Sequence, residues 1–429
     1  MIEVIVNRPS FEYDIHSLVK SFFPREDVQI HVQDTFTEDT ALRISVEFTD
    51  ETVSICLMEQ GEEKESGASV INYAERKETK NRLKRQLYQL LCAYTGQTLP
   101  WGTLTGIRPA KIAMGLIEQG MSNVETAEYM RNTYLASKEK VALSVMIANR
   151  ERYVLRNIDY KDGYSLYVGI PFCPSICLYC SFSSYPLERW RKQVDQYLDA
   201  LCKELDYVAD RFRDKKLNTV YIGGGTPTTL EPYQLDRLLT RIQSKFDTEH
   251  LQEFTVEAGR PDSITREKLQ VLLDHGIDRI SINPQTMNQK TLEIIGRRHT
   301  VDQVKEAFTL ARSMGFAHIN MDLIVGLPGE SYDDVEHTMK ELEAMAPDSV
   351  TVHSLAIKRA ARLSLFKDKY EEMGLENNMQ IMDMTARYCA EMGLSPYYLY
   401  RQKNMAGNFE NVGYAQPEKA GIYNILIME

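Results

Sequence analysis

Three cysteines with ligand-like spacing lie in the segment Pro171-Phe172-Cys173-Pro174-Ser175-Ile176-Cys177-Leu178-Tyr179-Cys180. Thiolates gathered in one loop bind either zinc or an iron–sulfur cluster. Structural zinc usually takes four protein ligands, and no fourth Cys or His lies nearby in the sequence. Three thiolates leave one iron of a 4Fe-4S cluster open to a cofactor or substrate. The spacing C-x-x-x-C-x-x-C therefore favours a 4Fe-4S cluster over zinc or chance clustering.

The other four cysteines are spread along the chain and fall in helical or strand patterns. An odd total of seven, in an acidic chain that lacks a signal-peptide pattern, argues against a disulfide framework. We interpret these four as small buried apolar residues. They are Cys56, Cys92, Cys202 and Cys389.

Composition limits the class of protein. The formal net charge is -11, so nonspecific attraction to nucleic acid is not expected. No stretch approaches the roughly 18 apolar residues that a membrane-spanning helix needs. The N-terminus does not read as a signal peptide. We therefore expect a cytoplasmic protein, monomeric, without membrane insertion and without a nucleic-acid partner.

Hydrophobic patterning divides the 429 residues into three regions. Residues 1–158 predict an N-terminal α+β accessory domain, with strands at 2–6, 41–48 and 53–58 and a helix around 83–94. Residues 159–360 predict an α/β barrel domain. Residues 361–429 predict a C-terminal family-specific region, with a helix near 379–392 and a strand near 397–401. The chain ends within the apolar run 422–428, which predicts that this last region is incomplete.

Strand and helix patterns alternate regularly through the middle region. Six candidate strands cover residues 164–170, 219–222, 254–258, 279–282, 320–324 and 349–355, with amphipathic helices between them. Such alternation indicates βαβ units and a parallel sheet. Six units favour a partial or complete TIM-like barrel over an open doubly wound sheet, although periodicity alone leaves both possible. In a barrel the chemistry lies at the C-terminal strand ends.

Residues able to bind a ligand recur at those strand ends. The cysteine segment follows the first strand. The second strand runs into Gly223-Gly224-Gly225-Thr226-Pro227-Thr228, whose backbone would allow close approach of a ligand and whose amides could donate to it. Glu257, Gln285 and Asp322 lie on or after the next three strands. Each alone suits a structural role equally well, but together they indicate a pocket.

These motifs resemble the radical S-adenosylmethionine superfamily, and within it the oxygen-independent coproporphyrinogen III oxidase family, from residue 164 to about 413. The phrase Leu166-Tyr167-Val168-Gly169-Ile170-Pro171-Phe172-Cys173 is similar to that family's Tyr-x-His-x-Pro-Phe-Cys signature. Residues 223–228, 296–297 and 320–328 also match. The N-terminal region and residues 397–414 most resemble the HemZ-type branch, coproporphyrinogen dehydrogenases of Gram-positive bacteria.

The resemblance implies the fold and the cofactors. The fold would be α/β, a radical SAM partial (β/α)6 to (β/α)8 TIM-like barrel with an N-terminal α+β domain. Cys173, Cys177 and Cys180 would hold the 4Fe-4S cluster, and Tyr167, Gly224 and Glu257 would contact the S-adenosylmethionine bound to it. A second S-adenosylmethionine site would be formed by Tyr179, Gly225, Thr226, Gln285, Arg297, Asp322 and Ala356.

The implied reaction is oxygen-independent oxidative decarboxylation of coproporphyrinogen III propionates to vinyl groups, giving protoporphyrinogen IX in heme biosynthesis. A 5'-deoxyadenosyl radical would abstract hydrogen, and a donor such as flavodoxin or ferredoxin would supply electrons. The tetrapyrrole carries four carboxylates, so basic residues should line its pocket. The candidates are Lys358, Arg359, Arg362, Arg401 and Lys403, and a solvated surface face is an equally good interpretation of them.

Two departures leave a second function open. The family's His before Pro-Phe-Cys is Gly169 here, so that imidazole is lost. The cysteine two residues beyond the last ligand in the oxidases is Phe182 here, a residue shared with the heme-chaperone branch. That branch's His-Asn-x-x-Tyr-Trp segment is replaced by residues 403–408, without the histidine or either aromatic residue. The alternative is therefore a heme-binding chaperone-like protein without decarboxylase activity.

Overall fold

The computed structural model describes the chain except residues 25, 33–41, 107, 183, 359–360, 366–372, 402–408 and 429. The chain divides into two compact units, Met1–Ala148 and Asn149–Glu429. The sequence placed its first boundary after residue 158, whereas the change of unit falls inside the helix Lys138–Val154. None of the described helices is long and apolar enough to cross a membrane.

The first unit is built on a mixed five-stranded sheet. Its elements are β1 Ile2–Val6, α1 Glu12–Phe22, β2 Val28–Val32, β3 Leu42–Phe48, β4 Thr52–Glu59, β5 Glu62–Val70, α2 Arg76–Thr95, α3 Pro109–Glu118, α4 Asn123–Tyr134 and the start of α5 Lys138–Val154. The strand order is β2-β1-β3-β4-β5, with β1 parallel to both neighbours and the other pairs antiparallel.

Alternation of side chains along the strands of the first unit explains its core. In β3 the residues facing inward, among them Ile44 and Val46, are fully buried, while the intervening ones are more exposed. Helices α1 and α2 add Leu18 and Leu87 to the same apolar cluster. The expected α+β composition of this region is therefore present in the described residues.

The second unit repeats strand and helix. Its elements are β6 Gly163–Ile170, β7 Phe172–Cys173, β8 Tyr185–Pro186, α6 Leu187–Trp190, α7 Val194–Arg211, β9 Lys216–Gly224, α8 Pro232–Lys245, β10 Glu253–Gly259, α9 Arg266–Asp274, β11 Arg279–Ile282, α10 Gln289–Ile294, α11 Val301–Met314, β12 His318–Val325, α12 Tyr332–Met345, β13 Ser349–Ser354, α13 Arg362–Leu365, α14 Met379–Glu391, β14 Ser395–Tyr400, β15 Asn411–Ala415 and α15 Ile422–Leu426.

Eight of these strands form one curled sheet in the order β14-β15-β13-β12-β11-β10-β9-β6. The six strands from β6 to β13 are parallel neighbours, as the alternating pattern predicted. β15 then pairs antiparallel with both β13 and β14, so the region after residue 360 adds two strands to this sheet. In the described chain β6 and β14 are the free edges, and the sheet is a partial barrel.

The parallel strands are apolar because helices cover their outer face. Val220, Ile222, Ile280 and Met321 are fully buried. Several crossover helices, though not α7, begin at side-chain caps. At Thr300, for example, Thr300 and Gln303 exchange hydrogen bonds in a capping box. Because the six strands are parallel, their C-terminal ends meet at one rim of the sheet.

Candidate cluster and cofactor site

One cavity of about 380 Å³ lies inside the curled sheet, at this rim. All three candidate ligand cysteines line it. Its other lining residues include Tyr179, Phe182, Tyr221, Gly224, Gly225, Thr226, Glu257, Arg260, Asn283, Gln285, Arg297, Asn320, Asp322, His353, Ala356, Lys358, Tyr398 and Asn424. Strands distant in sequence thus bring the strand-end residues together, as the sequence predicted.

The cysteine loop is held by hydrogen bonds and apolar contacts to other parts of the second unit. Leu178 is buried in an apolar cluster with residues of the strand-end loops, and its amide donates to the Ile295 carbonyl at 2.9 Å. The Ser175 hydroxyl donates to the Gly296 carbonyl at 2.8 Å. Because backbone and side chain are both held, the loop presents its thiols into the cavity without needing regular secondary structure.

Arg260, directly after β10, holds the loop from the opposite side. Its guanidinium is almost fully buried and pairs with both carboxylate oxygens of Asp262, at 3.0 and 2.7 Å. The same side chain donates to the Ser175 hydroxyl at 2.7 Å and lies 4.0 Å from the Cys177 sulfur. One guanidinium therefore contacts Asp262, Ser175 and the Cys177 sulfur.

Cys177 is buried, whereas Cys173 and Cys180 are partly buried. Burial raises the pKa of the Cys173 thiol to about 11, although a hydrogen bond from the Thr226 hydroxyl at 3.7 Å opposes the shift. Burial also raises the pKa of Cys180. Among the described residues no three His, Cys, Asp or Glu side chains lie close enough to surround one metal ion. In a 4Fe-4S cluster each thiolate binds a different iron, so the three cysteines would enclose the cluster instead.

The glycine turn after β9 packs directly on the cysteine loop. A Cβ on Gly225 would stand 2.6 Å from the Phe172 carbonyl oxygen and 3.0 Å from the Cys173 sulfur. The Gly225 and Thr226 amides donate to the carbonyls of Ile170 and Phe172, at 2.7 and 2.8 Å. These two amides therefore bond to the backbone carbonyls of residues 170 and 172, and contact between this turn and a cofactor stays a prediction.

Three ionisable residues, Tyr221, Glu257 and Asp322, lie together in the cavity wall and are partly buried. The Tyr221 hydroxyl donates to Glu257 at 2.6 Å. Burial raises the pKa of Glu257 to about 7, helped by the negative charge of Asp322, and the Tyr221 and Gly224 hydrogen bonds only partly offset this. Burial also acts to raise the pKa of Asp322, but His353, 3.8 Å away, and a hydrogen bond from Asn320 lower it overall.

The Glu257 shift predicts a pH-dependent stability. Burial raises the pKa of Glu257 above the usual 4.5. The contribution of Glu257 to the free energy of unfolding is therefore fully present below pH 4.5 and is lost as pH rises towards about 7. In Glu257→Gln that loss disappears, so the drop in unfolding free energy from pH 5 to pH 8 should shrink by about 2 kcal/mol. Denaturant unfolding of the cofactor-free protein at both pH values measures this drop.

The matched control for this prediction is Glu249→Gln, which removes a carboxylate from an exposed position. Its pH dependence should follow that of the unmodified protein. Equal slopes for Glu257→Gln and the unmodified protein would show that Glu257 ionises normally in the folded state.

Gln285 and Arg297 complete the cavity wall below Tyr179. Gln285 has a φ of 68°, and its backbone is clamped to β12 by hydrogen bonds of 2.9 Å to Asp322 and from Ile324. A non-glycine residue in the left-handed region is strained and persists where its surroundings over-determine it. Arg297 donates to the Asn283 carbonyl and, at 3.2 Å, to the Tyr179 hydroxyl. The neighbouring Arg297 charge only partly opposes the burial that raises the pKa of Tyr179.

Buried polar atoms in this wall test whether a cofactor fits. The side-chain oxygens of Asn283 and Gln285 and the Nε of Arg297 have no hydrogen-bond partner among the described residues. Such atoms cost free energy unless a ligand or water satisfies them. A polar molecule carrying amino, carboxylate and hydroxyl groups, such as S-adenosylmethionine, would satisfy both the acceptors and the donor. The residues present therefore fit the cluster and the cofactor.

Twelve of the thirteen predicted cluster and cofactor residues line this one cavity; Tyr167 does not. The Tyr167 side chain is half exposed, and its ring stacks on those of Tyr221 and Tyr423, with both centroid distances 6.2 Å. Its hydroxyl still approaches Gly224, lying 3.4 Å from where a Cβ on that glycine would stand.

Of the three predicted substrate residues that the structure describes, one lines the cavity. Lys358 lines the cavity, whereas Arg362 is exposed on α13 and Arg401 is buried, both outside the lining. Burial lowers the pKa of Arg401 to about 10. Arg359 and Lys403 lie outside the described residues.

Several lining residues were missed by reasoning from the sequence. Arg260 directly follows the third barrel strand, so its position at a strand end could have identified it as a lining residue. His353 and Tyr400 lie on β13 and β14 and are 3.3 Å apart between Nδ1 and the hydroxyl. Asn424 is on the last helix. Nothing in the local pattern around these last three residues signals that they face a cavity.

Comparison with known proteins agrees with this geometry. The Radical SAM superfamily model matches residues 167–342. The oxygen-independent coproporphyrinogen-III oxidase-like protein HemZ of Bacillus subtilis (strain 168) is 43% identical over 357 residues, which cover 82% of this chain and 71% of the relative. The heme chaperone HemW of the same organism is 38% identical over 195 residues, covering 45% and 51%.

A solved structure gives the same result for the fold. Coproporphyrinogen III oxidase (HemN) from Escherichia coli superimposes with a TM-score of 0.51 at 25% sequence identity, covering 62% of this chain and 59% of that chain. The chain thus spans only about half to three-fifths of the chaperone and the oxidase.

The curled α/β half-barrel and the three-cysteine loop define a protein of the radical S-adenosylmethionine superfamily, which confirms the predicted fold class. Within that superfamily the chain belongs to the family of HemZ-type, coproporphyrinogen-III oxidase-like proteins.

Proposed function

We propose that the protein is a radical S-adenosylmethionine oxidoreductase that decarboxylates two propionates of coproporphyrinogen III to vinyl groups, giving protoporphyrinogen IX for heme biosynthesis. The observation that carries the choice of a tetrapyrrole substrate is a cation beside an aromatic ring in the cavity wall. The Lys358 ammonium lies 5.7 Å from the centre of the largely exposed Phe182 ring. Among the described residues no acidic side chain pairs with Lys358, so its charge is available to a propionate while Phe182 contacts a pyrrole ring.

The remaining residues divide the work of binding. Cys173, Cys177 and Cys180 would hold the 4Fe-4S cluster. When bound, the cluster and S-adenosylmethionine supply a 5'-deoxyadenosyl radical that removes hydrogen from the substrate. Glu257 and Asp322 would accept hydrogen bonds from amino and ribose groups, and Arg297 would bind a carboxylate.

A heme-binding delivery protein is the second candidate. Two observations favour it: the relationship to HemW, and Phe182 in the position where oxidases have a cysteine. The same cation and ring that suit coproporphyrinogen would also suit the propionates and macrocycle of heme. The two functions differ in whether the tetrapyrrole is changed.

One anaerobic experiment separates them. The cluster is reconstituted and reduced with dithionite, S-adenosylmethionine and coproporphyrinogen III are added, and 5'-deoxyadenosine and porphyrin products are followed together. We expect both in proportion. Deoxyadenosine without a decarboxylated product, combined with stable heme binding and a shifted Soret band, would replace the proposal by the delivery function.

Replacing Lys358 by glutamine tests the substrate contact. Losing one charge-assisted hydrogen bond costs about 1.5 kcal/mol, so KM for coproporphyrinogen III should rise about tenfold with little change in kcat. Steady-state kinetics under anaerobic conditions measures both. The matched control is Arg362→Gln, an exposed cation outside the cavity lining, which should leave KM unchanged. An unaltered KM in Lys358→Gln would remove this residue from the substrate site.

A further inference from the structure

An exposed aromatic pair lies directly after the cysteine loop. Tyr185 begins β8 and Trp190 ends α6, and their ring centroids are 5.1 Å apart in an edge-to-face arrangement. Both side chains are at least two-fifths exposed. Aromatic rings held against each other at the surface, without burial, are typical of a contact site for another molecule.

This pair is tied to a cluster ligand by the backbone. β7 and β8 form a parallel pair in which Phe172 aligns with Tyr185 and Cys173 with Pro186. The Tyr185 amide also donates to the Pro171 carbonyl at 2.7 Å. Neighbouring strands lie about 4.8 Å apart, so the aromatic segment is a single strand spacing from Cys173.

The local charge around the pair is the reverse of the molecule's charge. The whole chain has 61 acidic and 50 basic residues, yet the segment Tyr-Pro-Leu-Glu-Arg-Trp-Arg-Lys-Gln at 185–193 has three basic residues and one acidic residue. Arg189, Arg191 and Lys192 are all exposed. Arg191 reaches Glu231 at 3.8 Å across a solvent-exposed gap, while Arg189 and Lys192 have no acidic partner among the described residues.

We propose that Tyr185, Arg189, Trp190, Arg191 and Lys192, here called the docking surface, bind an acidic one-electron carrier protein. This inference rests on the proposed function, because the cluster of a radical enzyme has to be reduced by an electron donor. One electron leaves the carrier and reaches the cluster, which passes from its oxidised to its reduced form, and no bond is made or broken. A central aromatic pair with a basic rim suits a small, transient redox interface.

Electrostatic attraction gives the proposal a measurable signature. Complementary charge mainly raises the association rate, and its effect falls as salt is added. The chain as a whole carries a net negative charge, so attraction to an acidic partner has to come from a local positive segment such as this one. Reduction of the cluster by the carrier should therefore be fast at low ionic strength and slow at high ionic strength.

The test uses the reconstituted enzyme and reduced flavodoxin as the acidic carrier. Flavodoxin affinity is measured by calorimetry, and cluster reduction by stopped-flow bleaching of its visible absorption. In the double variant Arg189→Glu/Lys192→Glu we expect affinity and reduction rate to fall at least tenfold and the salt dependence to weaken or reverse. Reduction by dithionite, which needs no docking, should be unchanged in rate and extent.

The control carries the same change in net charge elsewhere. Lys203 on α7 and Arg266 on α9 are exposed, and Lys203→Glu/Arg266→Glu should keep the original affinity and rate. Equal slowing in both double variants, or no slowing in either, would overturn the proposal. If dithionite reduction is also impaired, the milder double variant Arg189→Gln/Lys192→Gln is measured instead. We then expect a smaller loss of flavodoxin affinity and reduction rate, with normal dithionite reduction. No loss with flavodoxin would overturn the proposal.

Failure of this inference is distinguishable from failure of the proposed function. Cluster reduction by flavodoxin is read before any tetrapyrrole is added. Salt-dependent reduction that is lost in the charge-reversed variant would support the docking surface even if coproporphyrinogen III were not decarboxylated.

Discussion

Cys173→Ser should abolish cluster assembly and, with it, cleavage of S-adenosylmethionine. A serine hydroxyl is a poor iron ligand because it does not ionise near neutral pH, and only two thiolates would remain in the loop. Iron content should fall from about four per chain to near zero. The rate of 5'-deoxyadenosine formation should fall to about one-thousandth or less, since the cluster supplies the chemistry.

Iron analysis, visible absorption and a deoxyadenosine assay after identical anaerobic reconstitution measure these effects. Cys202→Ser is the control, because Cys202 is a buried residue of α7 that does not line the cavity. It should keep its iron and its activity, apart from a modest loss of stability. Full iron content in Cys173→Ser, with normal cleavage, would show that Cys173 is not a cluster ligand.

Gly225→Ala should cause the second-largest loss, through sterics alone. The added Cβ would come within 2.6 Å of the Phe172 carbonyl oxygen and 2.9 Å of the Ile170 carbonyl oxygen. Both are backbone atoms and cannot rotate away, so the glycine turn and the cysteine loop must separate. If this separation raises the activation free energy by about 3 kcal/mol, the rate of deoxyadenosine formation should fall about a hundredfold.

Gly169→Ala is the matched control on the neighbouring strand. A Cβ there would meet only the Tyr167 ring, at 3.4 Å, an ordinary contact. The same assays apply, with iron content measured to separate loss of the cluster from loss of cofactor binding. Wild-type rates in Gly225→Ala would mean that the turn and the loop move apart without functional consequence.

Secondary structure of the second unit was largely predictable because it is encoded locally. The strand Arg279–Ile282 has the predicted bounds, and the helix Val301–Met314 lies where an amphipathic helix was predicted between two strands. Their signals are short apolar runs for strands and a 3.6-residue period for helices, and both depend on near neighbours alone. β5 was missed because its sequence, Glu-Glu-Lys-Glu-Ser-Gly-Ala-Ser-Val, carries no apolar alternation. Pairing with β4 makes it a strand.

The cluster loop was predictable for a different reason. Cys173, Cys177 and Cys180 fall within eight residues, so one loop can bring their thiols together whatever the rest of the chain does. Parallel strand ends meet at one rim, which is why Glu257, Gln285 and Asp322 could also be grouped before the cavity was known.

Tertiary structure alone decided the environment of these groups. Burial and the negative charge of Asp322 raise the pKa of Glu257 to about 7 against the opposing Tyr221 hydrogen bond, and these neighbours come from separate strands. The position of Arg260 beneath the Cys177 sulfur and the burial of Arg401 outside the cavity likewise depend on contacts between distant residues. The sequence by itself determined the family, the spacing of the three cysteines and the strand order along the chain. Desolvation and charge pairing are properties of the assembled three-dimensional packing, so only the folded structure could assign them.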